Sequence, residues 1–175
     1  MRVVAGTARG RRIQAPRGRA IRPTSDRVRE AIFNALTSLG ALDGAVVADL
    51  FAGSGAMGIE ALSRGAAQAT FVDDDPTAVD AIRANLAVTG LADRATVVRA
   101  DAVAWVADAP PVDLAIVDPP YAFTDWPALL DGIRAEVVVL ESGRPVDPGS
   151  EWRILRQKHY GSTVVTVVRA AGGER

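Results

Sequence analysis

From residue 46 onward, short apolar runs alternate with stretches of helical spacing, and this alternation narrows the possible folds more than any other feature of the chain. "VVADLF" has the composition of a strand, "AGSG" that of a loop, and "AMGIEALSR" that of a helix closed by Gly65. A second strand ends at Asp73, and a helix from about Thr77 to Thr89 stops at Gly90. "ATVVRAD" is a third strand, followed by a short helix through Trp105. "VDLAIVD" is a fourth, and a short helix over Trp126–Ile133 leads to a fifth, "EVVVLES". Strands separated by helices must run parallel, because each return needs a long crossover, and the crossovers cover both faces of the sheet. The last two runs, "WRILRQKHY" and "STVVTVVR", are joined only by a Tyr-Gly-Ser turn and must be antiparallel. The expectation is an α/β fold with a mixed, mostly parallel seven-stranded sheet, helices on both faces and a C-terminal antiparallel hairpin.

The 175 residues suit one domain with a sizeable core. Ahead of it, residues 1–40 form a basic extension: "RVVA" and "RRIQAP" pair as a hairpin around "GTARG", and Thr24 or Ser25 caps a helix. Val28, Ala31, Ile32, Ala35, Leu36 and Leu39 make that helix's apolar stripe. Residues 41–170 are the main domain and 171–175 a flexible tail.

The net charge of −1 conceals a split. Residues 1–30 carry nine Arg against Asp26 and Glu30, whereas the rest of the chain carries 11 basic and 19 acidic groups. A basic arm on an acidic domain suits nucleic-acid phosphates. There is no Cys and only one His, His159, which excludes disulfides, Cys-based zinc sites and His clusters. No metal is implied. No apolar run reaches about 18 residues, so no membrane span is expected, and the basic N-terminus has no apolar stretch behind it. A cytoplasmic monomer is expected.

"DLFAGSGAMG" places Gly53, Gly55 and Gly58 as G-x-G-x-x-G directly after a strand, with Asp73 twenty residues beyond Gly53. Glycines let a backbone approach a ligand closely, and an acid on the second strand can hold ribose hydroxyls. Asp74 is Asp73's neighbour and could share that task. Two acids move the reading from a dinucleotide toward S-adenosylmethionine. Asp49 lies inside the first strand, where a buried carboxylate needs a partner such as the amino end of a ligand. Asp101 ends the third strand, where it could accept from an adenine amino group. Phe51, Ala52, Ser54 and Ala102 lie beside these residues. An NAD-dependent enzyme remains the competing use of the glycine loop.

"DPPY", residues 118–121, ends the fourth strand. Two prolines fix φ and remove two N–H donors, leaving the Pro119 carbonyl rigidly held. Asp118 adds a second acceptor, Pro120 stiffens the turn, and Tyr121 adds a flat face. Two acceptors can bind both hydrogens of an exocyclic amino group and aim its lone pair at an electrophilic methyl. Tyr121 can stack on the base, with Phe123 as a helper. DNA and RNA amino-methylation are both open on these residues, as is a non-catalytic RNA-binding role.

Taken together, "RGRRIQAP", "RPTSDRVREAIFNAL", "DLFAGSGAMGIEALSRGA", "FVDDD" and "DPPY" resemble the RsmD family of bacterial 16S ribosomal RNA guanine-N2 methyltransferases. The resemblance spans residues 1 to about 168. It implies a Rossmann-like, class I methyltransferase fold and S-adenosylmethionine as donor. It implies that Asp49, Gly53, Ser54, Gly55, Asp73 and Asp101 lie along the cofactor and that Asp118, Pro119, Pro120 and Tyr121 form the base pocket. The substrate it implies is one guanine of 16S rRNA in the small ribosomal subunit. Arg9, Arg11, Arg12, Arg22, Arg27 and Arg29 are the expected RNA contacts, and Arg22, Thr24, Arg27 and Arg29 are expected near the crevice. Against the family pattern, the segment after "DPPY" is short.

Overall fold

The computed structural model describes residues 1–18 and 24–172. Arg22 and the end of the expected tail, 173–175, lie outside the described residues. The main domain runs β1 (Val46–Leu50), α2 (Ala56–Ser63), β2 (Gln68–Asp73), α3 (Pro76–Thr89), β3 (Ala95–Arg99), α4 (Ala102–Asp108), β4 (Val112–Val117), α5 (Trp126–Gly132), β5 (Ala135–Ser142), β6 (Trp152–Tyr160) and β7 (Thr163–Ala170), after an N-terminal α1 (Asp26–Ser38). One seven-stranded sheet has the order β3-β2-β1-β4-β5-β7-β6. β1 to β5 pair in parallel, and β7 joins β5 and β6 antiparallel. The order reverses between β1 and β4, which opens a crevice outside their carboxyl ends.

Local chemistry explains the element ends. The Ser25 hydroxyl accepts from the Val28 N–H and starts α1. Asp75 caps α3, whose first residue is Pro76, and Gly90 in the left-handed region ends it. Alternation along the strands sorts the core into two layers. Val47, Phe71, Ile116, Val139 and Val167 pack under α1, α2 and α3; Leu50, Val72, Val117, Leu140 and Val168 pack under α4 and α5.

The N-terminal extension forms the expected hairpin: Met1 and Ile13 exchange two backbone hydrogen bonds, at 3.3 and 3.0 Å, the Val3 N–H donates to the Arg11 carbonyl at 3.0 Å, and the Val3 carbonyl accepts from Gly10 at 2.9 Å. Arg2 and Arg12 face each other between these bonds as an antiparallel β-bridge. The N–H groups of Val4 and Ala5 turn away from the other arm and donate to the Glu60 carboxylate of α2, at 2.9 and 3.0 Å. The hairpin is thus also bound to the domain, with Val3, Ala8 and Ile13 buried in the first core layer. Gln14 exchanges two hydrogen bonds with the Asn85 side chain of α3, at 3.0 and 2.9 Å.

Arg29 is corrected by this packing. Its accessibility is 0%, and its guanidinium pairs with Asp26 at 2.9 Å, lies 3.4 Å from Glu60 and donates to the Arg2 carbonyl. A side chain enclosed between α1, α2 and the N-terminal segment has no face for a phosphate. It is an internal clamp, and the expected RNA contact at Arg29 is withdrawn.

Candidate active site

Counting by twos along four parallel strands puts four acids on one face of the sheet. Val47 and Asp49, Phe71 and Asp73, Ile116 and Asp118, Val139 and Glu141 each step from the first core layer to the carboxyl end. Adjacent registers (Asp49 beside Phe71, Leu50 beside Val117, Val117 beside Leu140) align these ends. Three of the acids were legible in the sequence. Glu141 was missed. The signal was available, since Val137, Val139 and Glu141 repeat the every-second-residue pattern that ends in Asp118.

The acids feel one another. Burial pushes the Asp49 carboxyl up to about 8, opposed by the Gly58 N–H it accepts and reinforced by Asp73. Asp118 is held well above the carboxylate range by burial, then by Glu141 and Asp49, with the Thr24 hydroxyl working the other way. Glu141 is raised by burial and lowered by the same hydroxyl. Thr24 stands just before α1 and spans the pair, 2.8 Å from Glu141 Oε2 and 3.4 Å from Asp118 Oδ2. The N-terminal element therefore reaches the carboxyl end of β4 and β5, as expected for Thr24.

The glycine loop is shaped for close approach. Phe51, directly after β1, lies at φ 58°, an uncommon conformation for a bulky residue, and Gly53 and Gly55 follow at 57° and 77°. The Asp73 carboxylate accepts from the Gly53 N–H at 2.9 Å and from the Asp75 N–H at 3.0 Å, tying loop to second strand. A Cβ at Gly58 would meet the Phe71 ring at 2.3 Å, so only glycine lets α2 sit this close and place its N–H 2.8 Å from Asp49. The Ser54 carbonyl accepts from Asn85, and Ala52 is half-buried beside it. Asp74 is exposed. Asp101 caps α4 through the Ala104 N–H at 2.8 Å, with Ala102 buried behind it.

At the corner, Asp118 is half-buried, Pro119 buried and Pro120 exposed. The Asp118 N–H donates to the Leu50 carbonyl at 3.4 Å, which holds the corner against β1. Tyr121 is 54% exposed; its ring rests over Gly143 and its hydroxyl bonds Thr163 at 2.8 Å. Phe123 is engaged elsewhere, edge-on to Phe51 and Trp126, and braces the glycine loop against α5.

Arg9, Arg11, Arg12 and Arg27 are exposed. Among the described residues no group of three or more His, Asp or Glu could hold a metal ion, and no helix is long and apolar enough to cross a membrane. A separate polar groove of about 250 Å³ opens by the loop before β1, lined by Asp43, Asp113, Glu136 and Arg169. None of the candidate site residues lines it, and Arg169 there stands 4.0 Å from Glu136.

Comparison with known proteins agrees with this geometry. The family described as conserved hypothetical protein 95 matches residues 1–169. The chain is 36% identical over 190 residues to ribosomal RNA small subunit methyltransferase D of Escherichia coli strain K12, covering 99% of this chain and 92% of that one. It is also 36% identical over 186 residues to YlbH of Bacillus subtilis strain 168, covering 98% of this chain and all of that one. Among solved structures, yhhF of Escherichia coli superposes with a TM-score of 0.85 at 32% identity, covering 97% of both chains.

Proposed function

This chain belongs to the conserved hypothetical protein 95 family, that of ribosomal RNA small subunit methyltransferase D, and on that footing we propose that it transfers a methyl group from S-adenosylmethionine to the exocyclic N2 amino group of one guanine in 16S rRNA. It would act as a cytoplasmic monomer on the small ribosomal subunit or its RNA.

The observation that supports this reading most is the set of acids at the carboxyl ends of β1, β2, β4 and β5. Asp49, Asp73, Asp118 and Glu141 gather in the crevice, and burial, with repulsion between neighbours, holds Asp49, Asp118 and Glu141 above their ordinary range, so a cationic ligand that ionises them is the one such a site favours. A sulfonium with an ammonium group fits such a crevice, whereas the pyrophosphate of a dinucleotide would be repelled. The donor set therefore suits S-adenosylmethionine. Bound there, it supplies an electrophilic methyl group. The glycine loop, Asp49, Asp73 and Asp101 would hold it.

The chain's own residues then have separable tasks. The Asp118 carboxylate and the Pro119 carbonyl accept the two amino hydrogens and direct the nitrogen lone pair. Tyr121 stacks on the base, which must be turned out of its helix or loop to arrive. As the N–CH3 bond forms and the S–CH3 bond breaks, positive charge develops on the amino nitrogen, and Asp118 is placed to stabilise it. The nitrogen then releases one proton to the Asp118 carboxylate. The Thr24 hydroxyl joins that carboxyl to Glu141, so the pair can share the proton.

Asp118→Ala tests the assignment. The variant should bind S-adenosylmethionine nearly as the unaltered protein does, measured by calorimetry, and lose at least about a hundredfold in methyl transfer, the usual scale for one preorganised group. Full turnover would remove Asp118 from the chemistry, and tighter binding of NAD than of S-adenosylmethionine would return the glycine loop to a dinucleotide enzyme.

A further inference from the structure

The acids of the crevice continue into a basic edge. Glu141 lies opposite Val165 of β7, and Val165 lies opposite Lys158 of β6. Directly paired residues share a face, and Val165 belongs to the layer under α1, so Lys158 emerges on the face that carries Asp118 and Glu141. Two strand spacings of about 4.8 Å put its backbone roughly 10 Å from that of Glu141. Arg156 lies opposite Val167 of the same layer, one row further in. Both are exposed, and Lys158 stands 5.3 Å over the Tyr160 ring. Tyr160 pairs with Thr163, whose hydroxyl holds Tyr121. The basic row thus ends against the ring of the "DPPY" corner.

Composition supports a specific partner. Residues 31–151 carry eighteen acidic groups against six basic ones, but from Trp152 to Gly172 there is no acid, while Arg153, Arg156, Lys158 and Arg169 are all basic. Charge on an edge strand, Lys above all, also blocks edge-to-edge pairing, but that need is indifferent to the face the charge takes, whereas Arg156 and Lys158 share the face of the acidic crevice.

We propose that Arg156 and Lys158 on β6 form a second RNA-backbone contact, on the side of the base pocket opposite the N-terminal arginines, so that phosphates flanking the target nucleotide are held at both ends of the crevice. The inference rests on the reading of the chain as an RNA methyltransferase. The two contacts do different work: the N-terminal arm gathers RNA, while the β6 row, beside Tyr121, sets how the strand enters the pocket.

The test is an Arg156→Glu/Lys158→Glu variant, which keeps the edge charged but reverses its sign. Melting temperature and S-adenosylmethionine affinity should match the unaltered protein. Affinity for a 16S rRNA transcript, and for small subunits lacking the modification, should fall at least about tenfold at 0.15 M salt, and the slope of log K against log salt should drop by about 1.5–2, as two lost phosphate contacts require. An Arg9→Ala/Arg11→Ala/Arg12→Ala variant is measured alongside. If it loses RNA affinity while the β6 variant binds with unchanged affinity and slope, the β6 contact is refuted and the RNA methyltransferase reading stands. If the unaltered protein binds neither RNA nor subunits, both fall together.

Discussion

Thr24 has one hydroxyl hydrogen and stands between two carboxyls, and that arithmetic governs how the corner titrates. It bonds Glu141 more closely than Asp118. Burial raises the Asp118 carboxyl most, Glu141 raises it further by repulsion, and Thr24 lowers it. On the proposed mechanism turnover needs Asp118 ionised, so activity should climb with pH through a midpoint above the ordinary carboxylate range. Glu141→Gln removes the repulsion and should move that acid limb to lower pH. Thr24→Val removes the opposing hydrogen bond and should move it to higher pH, and Thr24→Ser should restore it. Profiles of kcat against pH for the variants decide the matter: superimposable acid limbs would make both residues mere packing. Asp118 was legible in sequence because two prolines advertise it. Glu141 was not, since it ends a run of valines with no turn signal of its own.

At the scale of elements, the N-terminal segment is held by what it lacks. Gly6 lies at φ +82°, and a Cβ there would fall 1.8 Å from the Ser63 carbonyl oxygen of α2. Gly10 has nearly the same backbone, φ +83°, with nothing within 4 Å. Gly6→Ala should therefore cost about 2–4 kcal/mol, combining left-handed strain with overpacking, and Gly10→Ala only about 1 kcal/mol. Urea unfolding compares them, and equal losses would mean that the segment is not seated on α2. Sequence patterns found α1, its Ser25 cap and its apolar stripe, because helical periodicity is local. They also gave the hairpin of the first residues, but could not show that Glu60, 55 positions or more away, takes two further N–H groups from it. Arg29 was misread for the same reason: an arginine looks solvent-bound until its buried acidic partner is known.

Over the whole molecule, the order of strands does the assembling. Reversal between β1 and β4 brings the glycine loop, the "DPPY" corner and the acids of four strands to one edge, and α1 carries Thr24 onto them. The strand–helix alternation predicted this sheet, including its antiparallel end, because topology follows from loop length and strand handedness. The charge pattern was read only at the N-terminus, since the basic run on β6 is short and becomes a coherent row only when pairing aligns it with Glu141. The chemistry proposed for this edge is methylation of the exocyclic amino group of a guanine in 16S rRNA. Its most direct test is methyl transfer from labelled S-adenosylmethionine to small ribosomal subunits lacking the modification, to free 16S rRNA and to duplex DNA, followed by nucleoside analysis. Label recovered as N2-methylguanosine from the subunit or the rRNA is the predicted result. Label in DNA alone, or at a different atom of the base, would contradict it.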